Sequence, residues 1–327
     1  MISTSDLLSI KTEKDFSSLA LEIFHFQYEN NETYKQWCDL LHTDTKNIKS
    51  LNQIPFLPIS FFKTHKIVST TDKEEDYFLS SGTTSMQRSK HYIFSKKWYL
   101  LNAENCFKQF FKNVSDYCFI FLLPNYLEQQ HSSLVCMAED FRKKSEKNGS
   151  KFFKNNITDA IQLLEYNEEN HIATILFGVT YSLLDLIDIK TFRLKNTFVF
   201  ETGGMKGRRE ELPKNILHQK LQSGFGVDRI YSEYGMCELL SQAYSLGDGI
   251  FNLPSQMQIL ISETTDMKNK GLIGRSGTIN VIDLANYQTC SFIQTEDLGI
   301  KLSEKTFRII GREDHSAIRG CNLMYQE

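Results

Sequence analysis

Apolar positions near the start of the chain recur at helical spacing. Phe16, Leu19, Ala20, Ile23 and Phe24 form one such set, and Tyr34, Trp37, Cys38 and Leu41 form the next. Side chains three and four apart share a helix face, so residues 1–50 are predicted to be an amphipathic helical region. Ile54-Pro55-Phe56-Leu57-Pro58-Ile59 breaks the pattern, because each proline pushes its predecessor into extended geometry. Beyond this connector, short apolar runs alternate with helical stretches. The run 117–123 ends at Pro124 and the run 172–177 ends at Gly178. Thr197-Phe198-Val199-Phe200 leads to Gly203-Gly204, and Arg229-Ile230-Tyr231 leads into Tyr234-Gly235. Strands separated by helices indicate βαβ units and a largely parallel sheet covered on both faces. After about residue 250, Gln258-Ile259-Leu260-Ile261, the run 277–282 and Phe307-Arg308-Ile309-Ile310 read as strands joined by turns. The expected organisation is a helical region at 1–50, an α/β core at 51–250 and a smaller β-rich subdomain with a short tail at 251–327.

Five polar motifs punctuate this pattern. Ser80-Ser81-Gly82-Thr83-Thr84-Ser85 is a hydroxyl-rich loop around one glycine, with Arg88 and Lys90 just beyond it. Backbone N–H groups and hydroxyls in such a loop donate to phosphate oxygens, although the loop lacks the spacing of a Walker motif. Glu201-Thr202-Gly203-Gly204-Met205-Lys206-Gly207 follows a predicted strand. Tyr234-Gly235-Met236-Cys237-Glu238 places a carboxylate in what reads as a helical run, where it would suit Mg²⁺ beside a triphosphate or simply favour a helix N-terminus. Thr295-Glu296-Asp297-Leu298-Gly299 offers an acceptor for ribose hydroxyls, with a surface turn as the plainer alternative. Gly311-Arg312-Glu313-Asp314 closes the series. Ligands of a parallel sheet sit beyond its carboxyl ends, where three of these motifs are predicted to fall.

Composition narrows the possibilities. A formal net charge of -3 offers no electrostatic case for nucleic acid or an anionic membrane. No apolar run approaches the roughly 20 residues that cross a bilayer, and Met1-Ile2-Ser3-Thr4-Ser5-Asp6 lacks the look of a secretory signal. Seven scattered cysteines without a C-x-x-C pair argue against a disulfide framework or zinc site, and a reduced, cytoplasmic setting is expected.

Taken in order, the motifs resemble those of the adenylate-forming (acyl-CoA synthetase-like) superfamily, and most closely its acyl-protein synthetase, LuxE-like branch. Leu122-Leu123-Pro124-Asn125-Tyr126-Leu127-Glu128, Ser132-Ser133-Leu134-Val135, the motif from Glu201 to Gly207 and Arg319-Gly320-Cys321 carry the branch resemblance, which runs from the Ile54-Pro55 connector onward. It implies an adenylate-forming N-terminal-domain-like fold whose mobile C-terminal domain is missing or very short. It also implies ATP and Mg²⁺ as cofactors. Ser81, Gly82, Thr83 and Thr84 would embrace the phosphates, with Arg88 beside them. Gly203 and Gly204 would pass close to the adenine, Tyr234 and Gly235 would belong to the same cofactor site, Asp297 would bind the ribose, and Arg312 would meet the ribose or phosphate. Glu238 would reach the metal. An acid would become an acyl-adenylate, and Cys321 would then take the acyl group as a thioester. The partners would be a carboxylic acid, fatty in kind by analogy with the branch, and a protein that donates or accepts acyl groups. The chain departs from the superfamily at Ser85, usually glycine, at Gln87, usually proline, at Arg88, usually lysine, and at Cys237, usually threonine. Two alternatives stand beside this reading: a ligase using CoA or a carrier-protein thiol, and a non-catalytic nucleotide-binding homologue.

Overall fold

A computed structural model describes residues 2–80, 87–123, 131–153, 156–203, 212–263, 270–271 and 273–312. The helices α1 (Thr4–Leu8), α2 (Glu13–Asn30) and α3 (Glu32–Leu40) open the chain. Each begins on a side chain that accepts a backbone N–H of the first turn, from Ser3, Thr12 and Asn31 respectively. Such caps satisfy donors that the first turn otherwise leaves unpaired. Asn31 both ends α2 and starts α3, which sets the sharp reversal between them.

The connector follows as β1 (Leu57–Pro58), then α4 (Phe61–Thr64) and a hairpin of β2 (Asp76–Leu79) and β3 (Lys90–Ile93). Helices and strands then alternate through α5 (Lys96–Lys108), β4 (Cys118–Leu122), α6 (Ser133–Lys144), β5 (Lys151–Phe152), α7 (Ile157–Glu169) and β6 (Thr174–Val179). The alternation continues with α8 (Thr180–Ile189), β7 (Thr197–Thr202), α9 (Lys214–Phe225) and β8 (Tyr231–Tyr234). Six further strands complete the described chain: β9 (Ala243–Ser245), β10 (Ile250–Asn252), β11 (Met257–Ser262), β12 (Ser276–Asp283), β13 (Phe292–Lys301) and β14 (Thr306–Arg312).

One 12-stranded sheet runs β11-β12-β13-β14-β10-β9-β8-β7-β6-β4-β5, with β1 parallel beside β13. From β5 to β8 the neighbours are parallel. From β8 onward along the sheet they are antiparallel. The direction therefore switches at β8. Successive residues of β4 point to opposite faces. Phe119 and Phe121 join the core that holds Phe107 of α5 and Phe141 of α6, and Ile120 and Leu122 join a second core with Leu164 of α7, Leu183 of α8 and Leu221 of α9. Burial on both faces explains why these strands read as continuous apolar runs.

Three sequence readings change here. The strand expected at 229–231 begins at Tyr231 and takes in Glu233 and Tyr234. The helical run expected around Glu238 is a turn that returns the chain antiparallel into β9. Its backbone groups bond to side chains far away in sequence instead of to their own i−4 neighbours, as described below. Thr295, Glu296 and Asp297 lie within β13, not in a surface turn. Among the described residues, no helix is long and apolar enough to cross a membrane.

The N-terminal helices dock on β13 through aromatic packing and a buried amide. Phe292 is fully buried, with the rings of Phe24, Tyr34 and Phe56 at 6.2, 6.1 and 6.2 Å. The Gln27 amide donates to the carbonyls of Asn286 (3.1 Å) and Tyr287 (2.9 Å), and its oxygen accepts from Ser291 N (2.9 Å). Phe292→Ala is expected to destabilise the protein by about 3–5 kcal/mol, the usual cost of an emptied aromatic site. Urea denaturation checks this as a lower midpoint with an unchanged slope.

Candidate functional site

A cleft of about 750 Å³ opens beyond the carboxyl ends of β7 and β8 and is walled opposite by residues of β13 and β14. The β2–β3 hairpin supplies its first wall. Ser80 N donates to Ser89 O (3.1 Å), Ser89 N donates to Ser80 Oγ (2.9 Å), and Arg88 Nε donates to Ser80 O (2.5 Å). These bonds clasp the base of the hydroxyl-rich loop. One guanidinium nitrogen of Arg88, Nη2, is buried and has no hydrogen-bond partner among the described residues. A cationic donor left unpaired in a cleft wall is suited to an anionic ligand.

The end of β7 is an electrostatic anchor. Glu201 is fully buried. Its carboxylate pairs with Lys214 and accepts from Thr180 Oγ1 (2.5 Å). Burial pushes its pKa up, but the Lys214 ammonium and the hydrogen bonds outweigh that and hold it at about 2. Thr180 also lies 3.1 Å from the carbonyl of Gly203, whose φ of +69° favours a residue without a side chain.

The end of β8 carries Tyr234, Gly235 and, in the turn, Glu238. The Tyr234 hydroxyl donates to Asp297 Oδ2 (3.0 Å), and Asp297 N donates to Thr295 Oγ1 (3.1 Å). Burial raises the Asp297 carboxyl, with the Tyr234 bond and the charge of Arg312 opposing it. Asp297 faces Arg312 across the β13–β14 pair, and Arg312 Nη2 donates to Glu296 Oε2 (2.8 Å). Lys63 Nζ stands 3.7 Å from the other Glu296 oxygen.

The turn holding Glu238 is fixed by buried groups from three other elements. Asp283, at the end of β12, accepts from Leu240 N (2.8 Å), Ser241 N (2.9 Å), Ser241 Oγ (2.6 Å) and Ala285 N (3.1 Å). Asn102 of α5 donates to Leu240 O (2.9 Å), and Asn286 donates to Glu238 O (2.8 Å). His91 of β3 donates from Nδ1 to Cys237 O (2.7 Å), which leaves Nε2 to accept from Thr289 Oγ1 (3.0 Å). Glu238 itself is 4% exposed, and burial raises its carboxyl against hydrogen bonding from Ser89 and Cys237.

Arg88, Gly203, Tyr234, Gly235, Glu238, Asp297 and Arg312 thus line one cleft, as does Cys237. Ser81, Gly82, Thr83, Thr84, Gly204 and Cys321 lie outside the described residues. Among the described residues no group of three or more His, Cys, Asp or Glu is placed to share a metal. Glu238 alone fits the way Mg²⁺ is held beside a nucleotide, through one carboxylate with phosphates and waters completing the shell. Sequence reading missed Lys214, Glu233, Lys63 and the anchors His91, Asn102, Asp283 and Asn286. The available signal was Asp283-Leu284-Ala285-Asn286, polar residues that close an apolar strand and so need buried partners.

Comparison with known proteins bears on this geometry. Residues 5–96 match the family model described as Acyl-protein synthetase, LuxE. That match takes in the helices ahead of the Ile54-Pro55 connector, where the sequence resemblance had been placed to begin. The long-chain-fatty-acid–luciferin-component ligase of Vibrio harveyi is 33% identical over 81 residues, 24% of this chain and 21% of that protein. The ligase of the same name from Photorhabdus luminescens is 32% identical over 76 residues, 23% of this chain and 65% of that sequence. The match therefore spans about a fifth of the Vibrio relative's length. Over the whole fold, 2-hydroxyisobutyryl-CoA ligase in complex with 2-HIB-AMP and CoA superposes with a TM-score of 0.66 at 13% identity, covering 93% of this chain and 70% of that one. ATP-bound MatB from Rhodopseudomonas palustris gives 0.56 at 16% identity, covering 74% and 49%. The fold is that of the adenylate-forming enzymes. Within that class the chain is similar to the LuxE-type acyl-protein synthetases, whose named relatives here are ligases.

The His91 anchor has a pH consequence. Burial lowers its pKa from 6.5 to about 4, so the unfolded chain binds the proton more readily. Its contribution is present above 6.5 and is lost as pH falls towards 4, by up to about 3 kcal/mol. Urea denaturation at pH 7, 5.5 and 4.5 should show this loss in the wild type. His91→Gln should be less stable at pH 7 and should lose less of what remains on acidification.

Proposed function

We propose that the chain is an ATP-dependent acyl-protein synthetase that activates a carboxylic acid as its acyl-adenylate and passes the acyl group to a cysteine thiol. The observation that carries this reading is the convergence in one cleft of Arg88, whose buried Nη2 is unpaired among the described residues, the buried carboxyl of Glu238 and the partly buried carboxyl of Asp297, at the change in strand direction. Ligands of parallel strands sit in the crevice beyond the strands' carboxyl ends, where this cleft opens. The cation suits phosphate, and the Asp297 carboxyl suits ribose hydroxyls.

In this reading an oxygen of the substrate carboxylate attacks the α-phosphorus of ATP. The bond from that phosphorus to the bridging oxygen breaks, and pyrophosphate leaves with the electron pair. Arg88 neutralises charge that builds on the phosphate oxygens, held in place by its bond to Ser80 O. Mg²⁺ would supply further charge neutralisation at the phosphates, with Glu238 as its protein ligand. Lys63 and Arg312, both at the cleft and both bridged to Glu296, add positive charge near the same ligand. A thiolate then attacks the acyl carbonyl and AMP departs, leaving a thioester. Cys321 is the proposed acceptor, and a protein that supplies or receives the acyl group is the proposed partner. The relatives' names point to a long-chain acid. The described cysteines are all free, which fits a reducing, cytoplasmic compartment.

Acid-dependent exchange of labelled pyrophosphate into ATP tests the first step. The wild type should catalyse it, and Glu238→Gln should lower it by about a hundredfold, the scale of a lost charge-stabilising group. Cys321→Ser should retain exchange and lose the hydroxylamine-sensitive acyl-enzyme. Exchange absent across a broad acid panel would favour a non-catalytic nucleotide binder. Acyl-enzyme persisting in Cys321→Ser would place the acceptor elsewhere, and thioester formed only with added CoA would make the chain a CoA ligase.

A further inference from the structure

Two glutamates, Glu201 buried and Glu233 partly buried, stand at adjacent strand ends of the cleft, and their surroundings differ sharply. Glu201 has an ammonium, two hydroxyls and a nearby imidazole. Glu233, on the neighbouring β8, receives the Thr202 hydroxyl at 3.0 Å, and no lysine or arginine among the described residues lies within ion-pair distance of it. Its carboxyl leans over Gly235. A methyl group on Gly235 would stand 2.4 Å from Glu233 Oε1 and 3.4 Å from Gln242 Cγ. The glutamate and the glutamine therefore crowd the same spot, and both line the cleft.

Gln242 brings a second acceptor. It is 4% exposed, its amide nitrogen donates to Leu240 O (3.2 Å), and its Oε1 has no hydrogen-bond partner. Tyr244 sits directly across the β8–β9 pair from Glu233, and its buried hydroxyl is also unpartnered. Tyr99, Leu134 and Met137 also line the cleft. Burial pushes the Glu233 carboxyl up to about 7. A buried acceptor such as Gln242 Oε1, left without a donor among the described residues, is costly unless something brings a donor to it.

We infer that Glu233 and Gln242 form a specificity subsite for a hydrogen-bond donor, so that the acid this cleft takes carries a hydroxyl or an ammonium group on its carbon chain. This rests on the adenylation reading, which places the acid in the cleft, and it deepens that reading by naming the acid's chemistry. Tyr99, Leu134 and Met137 would hold the carbon skeleton, and the donor would fill the acceptor pair. A chain without a donor would leave the buried Gln242 acceptor unpaired beside Glu233, which is how a polar subsite rejects an otherwise matching substrate.

The test is pyrophosphate exchange with acids matched in length: the plain straight-chain acid, hydroxy acids and amino acids with the substituent moved along the chain. The wild type should favour at least one donor-bearing acid over its plain parent by about tenfold or more in kcat/KM, chiefly through KM. Glu233→Leu should reverse that preference and improve use of the plain acid. Glu233→Gln keeps shape and polarity while removing charge, so it should retain a hydroxyl-bearing substrate and lose an ammonium-bearing one. If Glu233→Leu fails to fold, the wild-type panel and Glu233→Gln decide the matter. A plain acid used as well as every donor-bearing analogue, or a preference unchanged in both variants, overturns the inference while leaving adenylation intact. Exchange with no acid at all overturns the adenylation reading itself, and the inference with it.

Discussion

The carboxylate of Asp283 is the constraint on which the cleft depends. It is fully buried with no cation beside it, and four donors hold it, three of them from the turn residues Leu240 and Ser241. A buried carboxylate satisfied only by particular donors tolerates few alternative conformations of the segment supplying them. That segment is the turn between β8 and β9, and it carries Glu238. His91, Asn102 and Asn286 add bonds to the same turn from a hairpin, a helix and the β12–β13 connection. The turn substitutes these distant partners for the local bonds of a helix, and Glu238 is thereby held in the cleft wall.

Around this fixed turn the cleft separates its charges. Arg88 offers an unpaired donor from one wall, while Asp297 and Glu238 offer acceptors from others. Lys214 is engaged with Glu201, so the end of β7 is electrostatically closed. Arg312 and Lys63 are both on Glu296, an exposed enough arrangement for either to exchange partners when a phosphate arrives. Groups held before a ligand arrives need little reorganisation during reaction, which is the physical advantage this cleft would have as the proposed phosphate site.

The strands buried on both faces were legible as apolar runs, because a covered parallel strand has no polar face to interrupt it. The N-terminal helices were legible through their spacing. β13 was not, since Thr295, Glu296 and Asp297 read as a polar turn while in the structure Thr295 is buried and Asp297 is tied to Tyr234. The turn at Glu238 misread as a helix because Met236, Leu239 and Leu240 have helical spacing, and nothing local announces that Asp283 and His91 will claim its backbone. Cleft-lining residues were legible where a motif itself bears the side chain, as with Arg88, Glu238 and Asp297. Lys214, Glu233 and the anchors were not, since their meaning comes from neighbours brought close only by the sheet.

The measurement that tests the central claim most directly follows the oxygen of the acid. Substrate acid labelled with ¹⁸O in its carboxylate, incubated with ATP and the protein until the acyl group is transferred, should yield AMP carrying one labelled oxygen, because the bond between that oxygen and the α-phosphorus forms in the first step and survives the second. Label appearing in orthophosphate alongside ADP would mean attack at the γ-phosphorus, and would contradict an adenylating cleft.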